Sequence, residues 1–219
     1  MAMTEASGGP IPRGQRLPRS ARRAQLLEAA QAAFVELGYH AAAMDDIADR
    51  AGVSKPVLYQ HFPGKLELYL ALLDQHCETL ENLVRNALEA PGHEPKEKVQ
   101  GSIEAYFDFV SREGAAFRMV FESDLTNESA VRNRLDAVEL ACAEAIADVI
   151  MQDAALPESE AMLLGVALAG MSQIAARYWL SQQAEVPQDL ATRLVGSLAW
   201  RGIASFPAAG GEGTPPTRG

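Results

Sequence analysis

Three observations predict an all-α fold for this chain of 219 residues. Alanine and leucine are abundant and runs of β-branched residues are rare, which favours helices over strands. Apolar residues recur every three or four positions over most of the chain, which is the spacing of one helix face. Hydrophobic residues make up 48% and charged residues 22%, so a sizeable core is available, in one domain or two small ones.

Neither end of the chain shows this periodicity. Residues 1–19 are rich in glycine, proline and arginine, and we interpret them as a disordered basic arm. Residues 208–219 are interpreted as a disordered tail. The arm has no long apolar run, so a signal peptide is not expected. Between the ends, the sequence predicts a head over residues 20–65 and a larger helical domain over residues 66–207.

The head is predicted to contain three helices. The first begins near Ser20, which is a suitable N-cap, and ends at Gly38. The second covers residues 44–51 and the third residues 55–62. Aspartates 45 and 46 fall in the first turn of the second helix, where the helix dipole favours negative charge, and we prefer this reading to a metal site.

The link between the second and third helices, "AGVS", gives the pattern of a helix-turn-helix. Gly52 can take the left-handed conformation that ends one helix and turns the chain. Val53 can fill the angle between the helices, and Ser54 can cap the third. Pro56 lies in the first turn of that helix, where its missing N–H would lack an intrahelical partner anyway, so it starts the helix rather than breaking it.

The third helix is expected to have one buried and one exposed face. Leu58 and Phe62 are four residues apart and should face the core. A helix of under two turns is unstable alone, so it must be docked on the other helices. The outward positions are Lys55, Pro56, Val57, Tyr59, Gln60 and His61. They either meet a partner or form an ordinary solvated surface.

Six more helices are predicted in the larger domain, for about nine in all. They cover about residues 66–90, 96–112, 115–122, 128–149, 159–182 and 188–205. The eighth is apolar nearly all round, so it should be buried on more than one side. Its longest apolar stretch, residues 161–176, is shorter than the roughly 20 residues of a membrane span, so no membrane partner is expected.

Charge is distributed unevenly along the chain. The net charge is −10, but residues 1–65 hold 8 basic and 6 acidic residues, whereas residues 66–219 hold 11 and 23. This asymmetry indicates an end that faces a polyanion. Cys77 and Cys142 lie far apart in separate helical patterns, so neither a disulfide framework nor a zinc site is expected, and a reducing cytosol fits.

The segment "RRAQLLEAAQAAFVELGYHAAAMDDIADRAGVSKPVLYQHFPGKLELYLALL" resembles the DNA-binding domain of TetR-family transcriptional regulators. The shared pattern is an AA…F…GY helix followed by "IA..AGVS…LY.HF..K..L". The resemblance covers about 50 residues, and beyond them only length and helical layout match. It implies an all-α, TetR-like fold, with residues 20–65 as the DNA-binding domain and residues 66–207 as a ligand-binding and dimerisation domain.

The resemblance also implies roles for the residues of the third helix. Members of the family usually contact base edges from the positions of Lys55, Pro56, Val57 and Gln60. They usually contact phosphates from the positions of Tyr59, His61 and Lys65. The chemistry suits these roles, because lysine can donate to guanine, glutamine can pair with adenine, and an apolar side chain can meet a thymine methyl. At position 57 the family often carries a hydroxyl residue, so Val57 predicts a methyl contact instead.

One departure from the family pattern concerns the start of the second helix. Ala42 and Ala43 stand where the family usually has threonine or serine, so a cap worth about 1 kcal/mol and one phosphate contact are missing. Arginines of the arm are expected to compensate by reaching phosphates or a minor groove, unless the arm is only a solvated tail. These arginines are Arg13, Arg16, Arg19, Arg22 and Arg23.

The larger domain of this family usually encloses a small-molecule pocket. A pocket of this kind is mostly apolar with a few polar anchors. The candidates here are Tyr106, Phe107, Phe109, Phe117, Phe121, Glu139, Cys142, Met171, Gln173 and Arg177. Core packing of the aromatic residues, and ordinary hydrogen bonds of the polar ones, are the alternative. Arg177 is also a candidate for the dimer interface.

The function that the resemblance implies is a cytoplasmic repressor that a small hydrophobic or amphipathic effector releases from DNA. The eighth and ninth helices would form a homodimer, and two-fold symmetry then requires a palindromic double-stranded operator. No cofactor or metal is expected. An enzyme is the second reading, but the sequence lacks G-x-S-x-G, H-E-x-x-H and a glycine-rich phosphate loop. A third reading is a ligand-independent regulator or adaptor whose C-terminal domain only dimerises.

Overall fold

The computed structural model describes residues 17–112, 125, 127–154, 156–182 and 185–203. The chain divides into two compact units, residues 1–65 and residues 66–219. Eight helices are formed by the described residues. They are α1 (Arg19–Ala41), α2 (Met44–Arg50), α3 (Lys55–His61), α4 (Lys65–Glu89), α5 (Pro95–Arg112), α6 (Ser129–Asp153), α7 (Glu158–Ser181) and α8 (Gln188–Ile203). The all-α prediction is confirmed. The predicted helix at 115–122, the tail at 208–219 and residues 1–16 of the arm lie outside the described residues.

The first unit is built from α1, α2 and α3, with α2 contacting both of the others. Helix α1 begins at Arg19, and Pro18 rather than the predicted Ser20 occupies its N-cap position. Gly38 has a φ of +77°, which interrupts α1, although one further turn follows it before the helix ends. Gly52 has a φ of +62° in the turn between α2 and α3, as predicted.

The second unit is organised around α6 and α7, which pack along each other, while α5 contacts both α7 and α8. The ring of Phe107 in α5 packs at a tilt against Trp179 of α7, with ring centroids 5.5 Å apart. The indole Nε1 of Trp179 donates to the carbonyl oxygen of Val186 at 2.6 Å, which ties α7 to the segment before α8. Together these contacts join α5, α7 and the start of α8.

The buried face of α4 is largely apolar. In α4 the buried residues are Leu68, Tyr69, Leu72, Leu73, His76, Leu80, Val84 and Leu88. Leu66, Leu70 and Cys77 of the same helix are only partly buried. The true buried face includes a histidine, which a search for apolar spacing passes over.

Helix α7 was expected to be buried on more than one side, and in the single chain it contacts both α5 and α6. Large apolar residues remain exposed along one side of it: Leu163, Val166, Ile174 and Tyr178. By length and composition alone α7 could cross a membrane, a test that core helices of soluble proteins also pass. Its other side packs on α6, so the exposed side is an apolar surface of a folded domain.

Gly165 sets the closeness of the α6–α7 contact. A Cβ atom at this position would collide with the carbonyl oxygen of Ala143 and lie 3.2 Å from Cβ of Ala147. Because the obstacle includes backbone, Gly165→Ala should force the two helices apart and lower the free energy of unfolding by about 1–3 kcal/mol. Chemical denaturation measures this change.

The matched control lies in the same helix. Gly170 lies on the exposed side of α7, where an added Cβ meets no heavy atom of its own chain within 4 Å, so in the monomer Gly170→Ala should raise the free energy of unfolding by roughly 0.5–1 kcal/mol through helix propensity. Equal effects of the two substitutions would show that helix propensity, rather than the close approach to α6, decides the outcome.

Candidate nucleic-acid interface

Helix α3 has the two faces that its sequence predicts. Leu58 is fully buried and Phe62 is 2% exposed, so these two residues anchor the helix in the first unit. Lys55, Pro56, Tyr59 and Gln60 are exposed, and Val57 and His61 are half-buried. Ser54 occupies the N-cap position without a side-chain cap hydrogen bond, and Pro56 lies in the first turn. All six outward positions are therefore accessible to a partner at least in part.

Three arginines at the start of α1 lie beside the end of α3, and we call Arg19, Arg22 and Arg23 the arginine cluster. The guanidinium of Arg23 lies 4.5 Å from the ring centroid of Phe62. A groove of about 730 Å³ separates the cluster from α3. It is lined by Leu17, Arg19, Arg22, Val57, Gln60 and His61. Arg19, which the sequence placed in a disordered arm, is therefore the first residue of α1, and Arg22 and Arg23 follow it in the same helix, whereas Arg13 and Arg16 lie outside the described residues.

The arginine cluster also acts on His61. Partial burial is the main cause that lowers the pKa of His61 below its usual 6.5, and the positive charges of the cluster lower it further. The imidazole is therefore neutral near pH 7 and can donate one hydrogen bond. A phosphate placed in the groove would favour the protonated form instead.

Lys55 makes an ion pair with Asp45 in the first turn of α2, with Nζ 2.5 Å from Oδ2. The hydrogen bond to Asp45 raises the pKa of Lys55 above its ordinary value. Both side chains are more than half exposed, so the pair lies at the surface and can be reached from solvent. The sequence predicts only a helix-dipole role for Asp45, and its pairing with Lys55 was not predicted.

Lys65 was expected to contact a phosphate. In the structure its ammonium makes hydrogen bonds to the protein backbone. Its Nζ donates to the carbonyl oxygens of Tyr39 at 2.8 Å, His40 at 3.2 Å and Ala42 at 3.0 Å. The same ammonium lies 4.6 Å from the ring centroid of Tyr39. Since an ammonium has three donors, all three are used, and Lys65 fastens the segment that joins α1 to α2.

Two more contacts hold α2 and its turn in place. Gln25 of α1 donates through Nε2 to the carbonyl oxygen of Ala51 at 2.8 Å, and Arg50 pairs with Glu36 at 2.6 Å. At the other end of α2, Ala43 occupies the N-cap position and provides no side-chain cap, as its lack of a hydroxyl predicts. The position of α3 thus depends on polar contacts that α1 makes to the helix before it.

The candidate pocket residues of the second unit fall into separate environments. Tyr106, Phe107, Phe109 and Cys142 are buried, whereas Glu139 and Arg177 are exposed. Burial, followed by the influence of Cys142, raises the pKa of the Tyr106 hydroxyl well above its usual value. Burial likewise raises the pKa of Cys142 to about 11. Both pKa values lie above the physiological range because of burial, so Tyr106 and Cys142 stay neutral near pH 7.

The remaining candidates lie elsewhere. Gln173 of α7 donates to Glu139 of α6 at 3.3 Å, which joins two helices near the surface. Met171 is half-buried, and Phe117 and Phe121 lie outside the described residues. A groove of about 290 Å³ opens between α5, α7 and α8 and takes in Phe107. Its other lining residues are Ala175, Tyr178, Trp179, Gln182, Glu185, Val186, Ala191, Leu194 and Val195, which no sequence pattern singled out.

Comparison with known proteins agrees with this geometry. Residues 26–72 match the model of "Bacterial regulatory proteins, tetR family". The chain is 44% identical to the HTH-type transcriptional activator FasR of Mycolicibacterium smegmatis. The match extends over 195 residues, which are 89% of this chain and 89% of FasR. The chain belongs to the TetR family. It is a helix-turn-helix transcriptional regulator.

Two further TetR-family proteins show how far the likeness extends. The HTH-type transcriptional repressor KstR2 of Mycobacterium tuberculosis is 32% identical over 120 residues, which is 55% of this chain and 58% of KstR2. The crystal structure of a TetR-like transcriptional regulator from Rhodococcus sp. RHA1 superposes with a TM-score of 0.69 and a sequence identity of 27%. The superposition covers 87% of this chain and 100% of the Rhodococcus chain. The likeness thus includes the second unit as well as the helix-turn-helix.

The lowered pKa of His61 predicts a pH dependence of DNA binding. A phosphate near the imidazole raises its pKa, so binding takes up a proton and affinity should rise as pH falls from about 7.5 to 6, by at most tenfold per unit. Fluorescence anisotropy with labelled DNA at constant ionic strength measures this slope. His61→Asn should remove this dependence of DNA affinity on pH. Equal slopes for the wild type and the variant would show that His61 does not contact a phosphate.

Proposed function

We propose that this TetR-family regulator binds its operator with the exposed face of α3 in the major groove. The observation that carries the proposal is the division of that helix into an anchored side, with Leu58 and Phe62, and a polar side that borders the arginine cluster. Lys55, Pro56, Val57 and Gln60 are assigned to base edges, and Tyr59 and His61 to phosphates. The arginine cluster extends the cationic surface along the backbone.

The proposal is tested by comparing substitutions on the two kinds of contact. Tyr59→Phe removes a phosphate contact, so it should weaken binding to all DNA sequences by a similar factor. Lys55→Ala and Gln60→Ala should change which sequence is preferred. The measurement is selection from random double-stranded DNA by the full-length protein. If all three variants lose affinity equally on every sequence, this division of roles is wrong.

A homodimer is proposed through the exposed apolar side of α7 together with α8. Leu190, Leu194 and Leu198 are spaced four residues apart on α8 and are all exposed, like the apolar residues of α7. We call the exposed residues Leu163, Val166, Ile174, Tyr178, Leu190, Leu194 and Leu198 the apolar face. Two such helix pairs form a four-helix bundle when two copies meet, and the two-fold axis requires a palindromic operator.

An effector site is proposed in the second unit for a small hydrophobic or amphipathic molecule. The supporting feature is the buried Tyr106–Cys142 pair, which offers polar anchors among the buried aromatic residues of α5. An effector that prefers one arrangement of the dimer changes DNA affinity by at most its differential affinity for the two arrangements. A ligand-independent regulator or adaptor is the alternative, and screening metabolites for thermal stabilisation and altered operator binding distinguishes the two.

The direction of regulation has two candidates. Repression is the commoner role in the family and is the expectation from the sequence, whereas the relative matched over 89% of both chains is named an activator. We favour activation because that match spans both units. A reporter gene placed behind the selected operator tests it: expression should fall when the regulator is deleted, and a rise would establish repression. Its place of action is the bacterial cytoplasm, where the DNA is.

A further inference from the structure

The Lys55–Asp45 pair presents a donor and an acceptor side by side at the surface that faces DNA in the proposed function. Lys55 opens α3 and Asp45 lies in the first turn of α2, so two helices contribute to the pair. The two polar atoms, Nζ and Oδ2, are 2.5 Å apart. Their side chains are 59% and 52% exposed, so each has room for a further hydrogen bond.

A guanine–cytosine base pair displays the complementary pattern in the major groove. Guanine offers the acceptors O6 and N7, and cytosine offers the N4 amino donor. The O6 and N4 atoms are themselves joined by an N–H···O hydrogen bond, which places them about 2.9 Å apart. The spacing of the protein's donor and acceptor therefore resembles the spacing of the acceptor and donor on the base pair.

We propose that Asp45 and Lys55 act as one unit that reads a single G·C base pair, with Lys55 donating to guanine and Asp45 accepting from the cytosine N4 amino group. This assigns Asp45 a part in sequence specificity. It rests on the proposed function, because it requires α3 to lie in the major groove. The carboxylate also repels phosphates, so Asp45 lowers affinity for DNA that lacks the matching base pair.

The experiment is selection of binding sites from random double-stranded DNA by the full-length protein and its variants. The wild type should select G·C at one position of each half-site, by roughly 5- to 150-fold over the other pairs. Asp45→Ala should weaken that preference several-fold and leave the other positions unchanged. Lys55→Ala should act on the same position. Coincidence of the two affected positions is the decisive result.

Asp49 provides the matched control. It lies one turn further along α2 and also attracts Lys55 electrostatically, but the hydrogen bond of Lys55 is to Asp45. Asp49→Ala removes the same charge, so it should raise affinity for random DNA about as much as Asp45→Ala does, with an unchanged motif. Circular dichroism and thermal melting verify that each variant is folded.

Two outcomes contradict the proposal, and a third contradicts the proposed function on which it rests. If Asp45→Ala selects the wild-type motif, or if the positions affected by Asp45→Ala and Lys55→Ala differ, the two residues do not read one base pair. If the wild type selects no shared motif at all, sequence-specific DNA binding through α3 is itself wrong. The wild-type selection therefore separates failure of the inference from failure of the proposed function.

Discussion

Replacing Leu198 with glutamate is expected to prevent the proposed homodimer from forming and to lower operator affinity by at least about 100-fold. Leu198 is 68% exposed on α8 and belongs to the apolar face. In a two-fold dimer the substitution buries two carboxylates without partners, and unpaired buried charges are strongly destabilising. A monomer then contacts only one half-site, so most of the affinity that comes from binding both half-sites together is lost.

Sedimentation velocity measures the assembly state, and anisotropy on full and half operators measures the affinity. The matched control is Leu140→Glu, because Leu140 is an exposed leucine of α6 outside the apolar face, with an exposed fraction of 50%. That variant should remain a dimer. If Leu198→Glu stays dimeric while Leu140→Glu dissociates, the interface lies on α6 and the apolar face needs another explanation.

Replacing Lys65 with methionine is expected to lower the free energy of unfolding by about 2–3 kcal/mol in the absence of DNA. Methionine keeps an unbranched apolar side chain but removes three charge-assisted hydrogen bonds, to the carbonyl oxygens of residues 39, 40 and 42. Because these bonds fasten the segment before α2, operator affinity should fall as well. Chemical denaturation followed by far-ultraviolet circular dichroism measures the stability.

The measurement without DNA decides between two roles for this lysine. If Lys65 only contacts a phosphate, Lys65→Met should leave the stability unchanged and reduce DNA affinity alone. If it fastens the fold, both quantities fall. Lys96→Met is the control, since Lys96 is an exposed lysine in the first turn of α5, and it should change neither.

The comparison of α3 with Lys65 shows what the sequence could and could not predict. The two faces of α3 follow from local rules, because Leu58 and Phe62 are one turn apart and Pro56 and Gly52 have fixed conformational preferences. The role of Lys65 depends on backbone carbonyls some 25 residues earlier in the chain, and carbonyl groups leave no mark in a sequence. The Lys55–Asp45 pair escaped prediction for the same reason, since it joins two helices.

The larger domain was harder to predict because its pattern has more than one solution. Apolar residues all round α7 are equally consistent with burial by its own chain and with burial by a second copy. Glu139 and Gln173 were chosen as pocket anchors from their place beside apolar lines, but they bond to each other near the surface. Which polar residue faces a pocket depends on the rotation of each helix, and a helical spacing fixes that rotation only when one face is clearly polar.

The contact of Trp179 with Phe107 and Val186 determines what an optical experiment on this protein can detect. The chain has two tryptophans, Trp179 and Trp200, and both lie beyond residue 65. Intrinsic tryptophan fluorescence therefore monitors the second unit and does not detect melting of the helix-turn-helix. A fluorescence transition and a circular dichroism transition will coincide only if both regions unfold together, so the two signals compared on one sample measure the cooperativity between them.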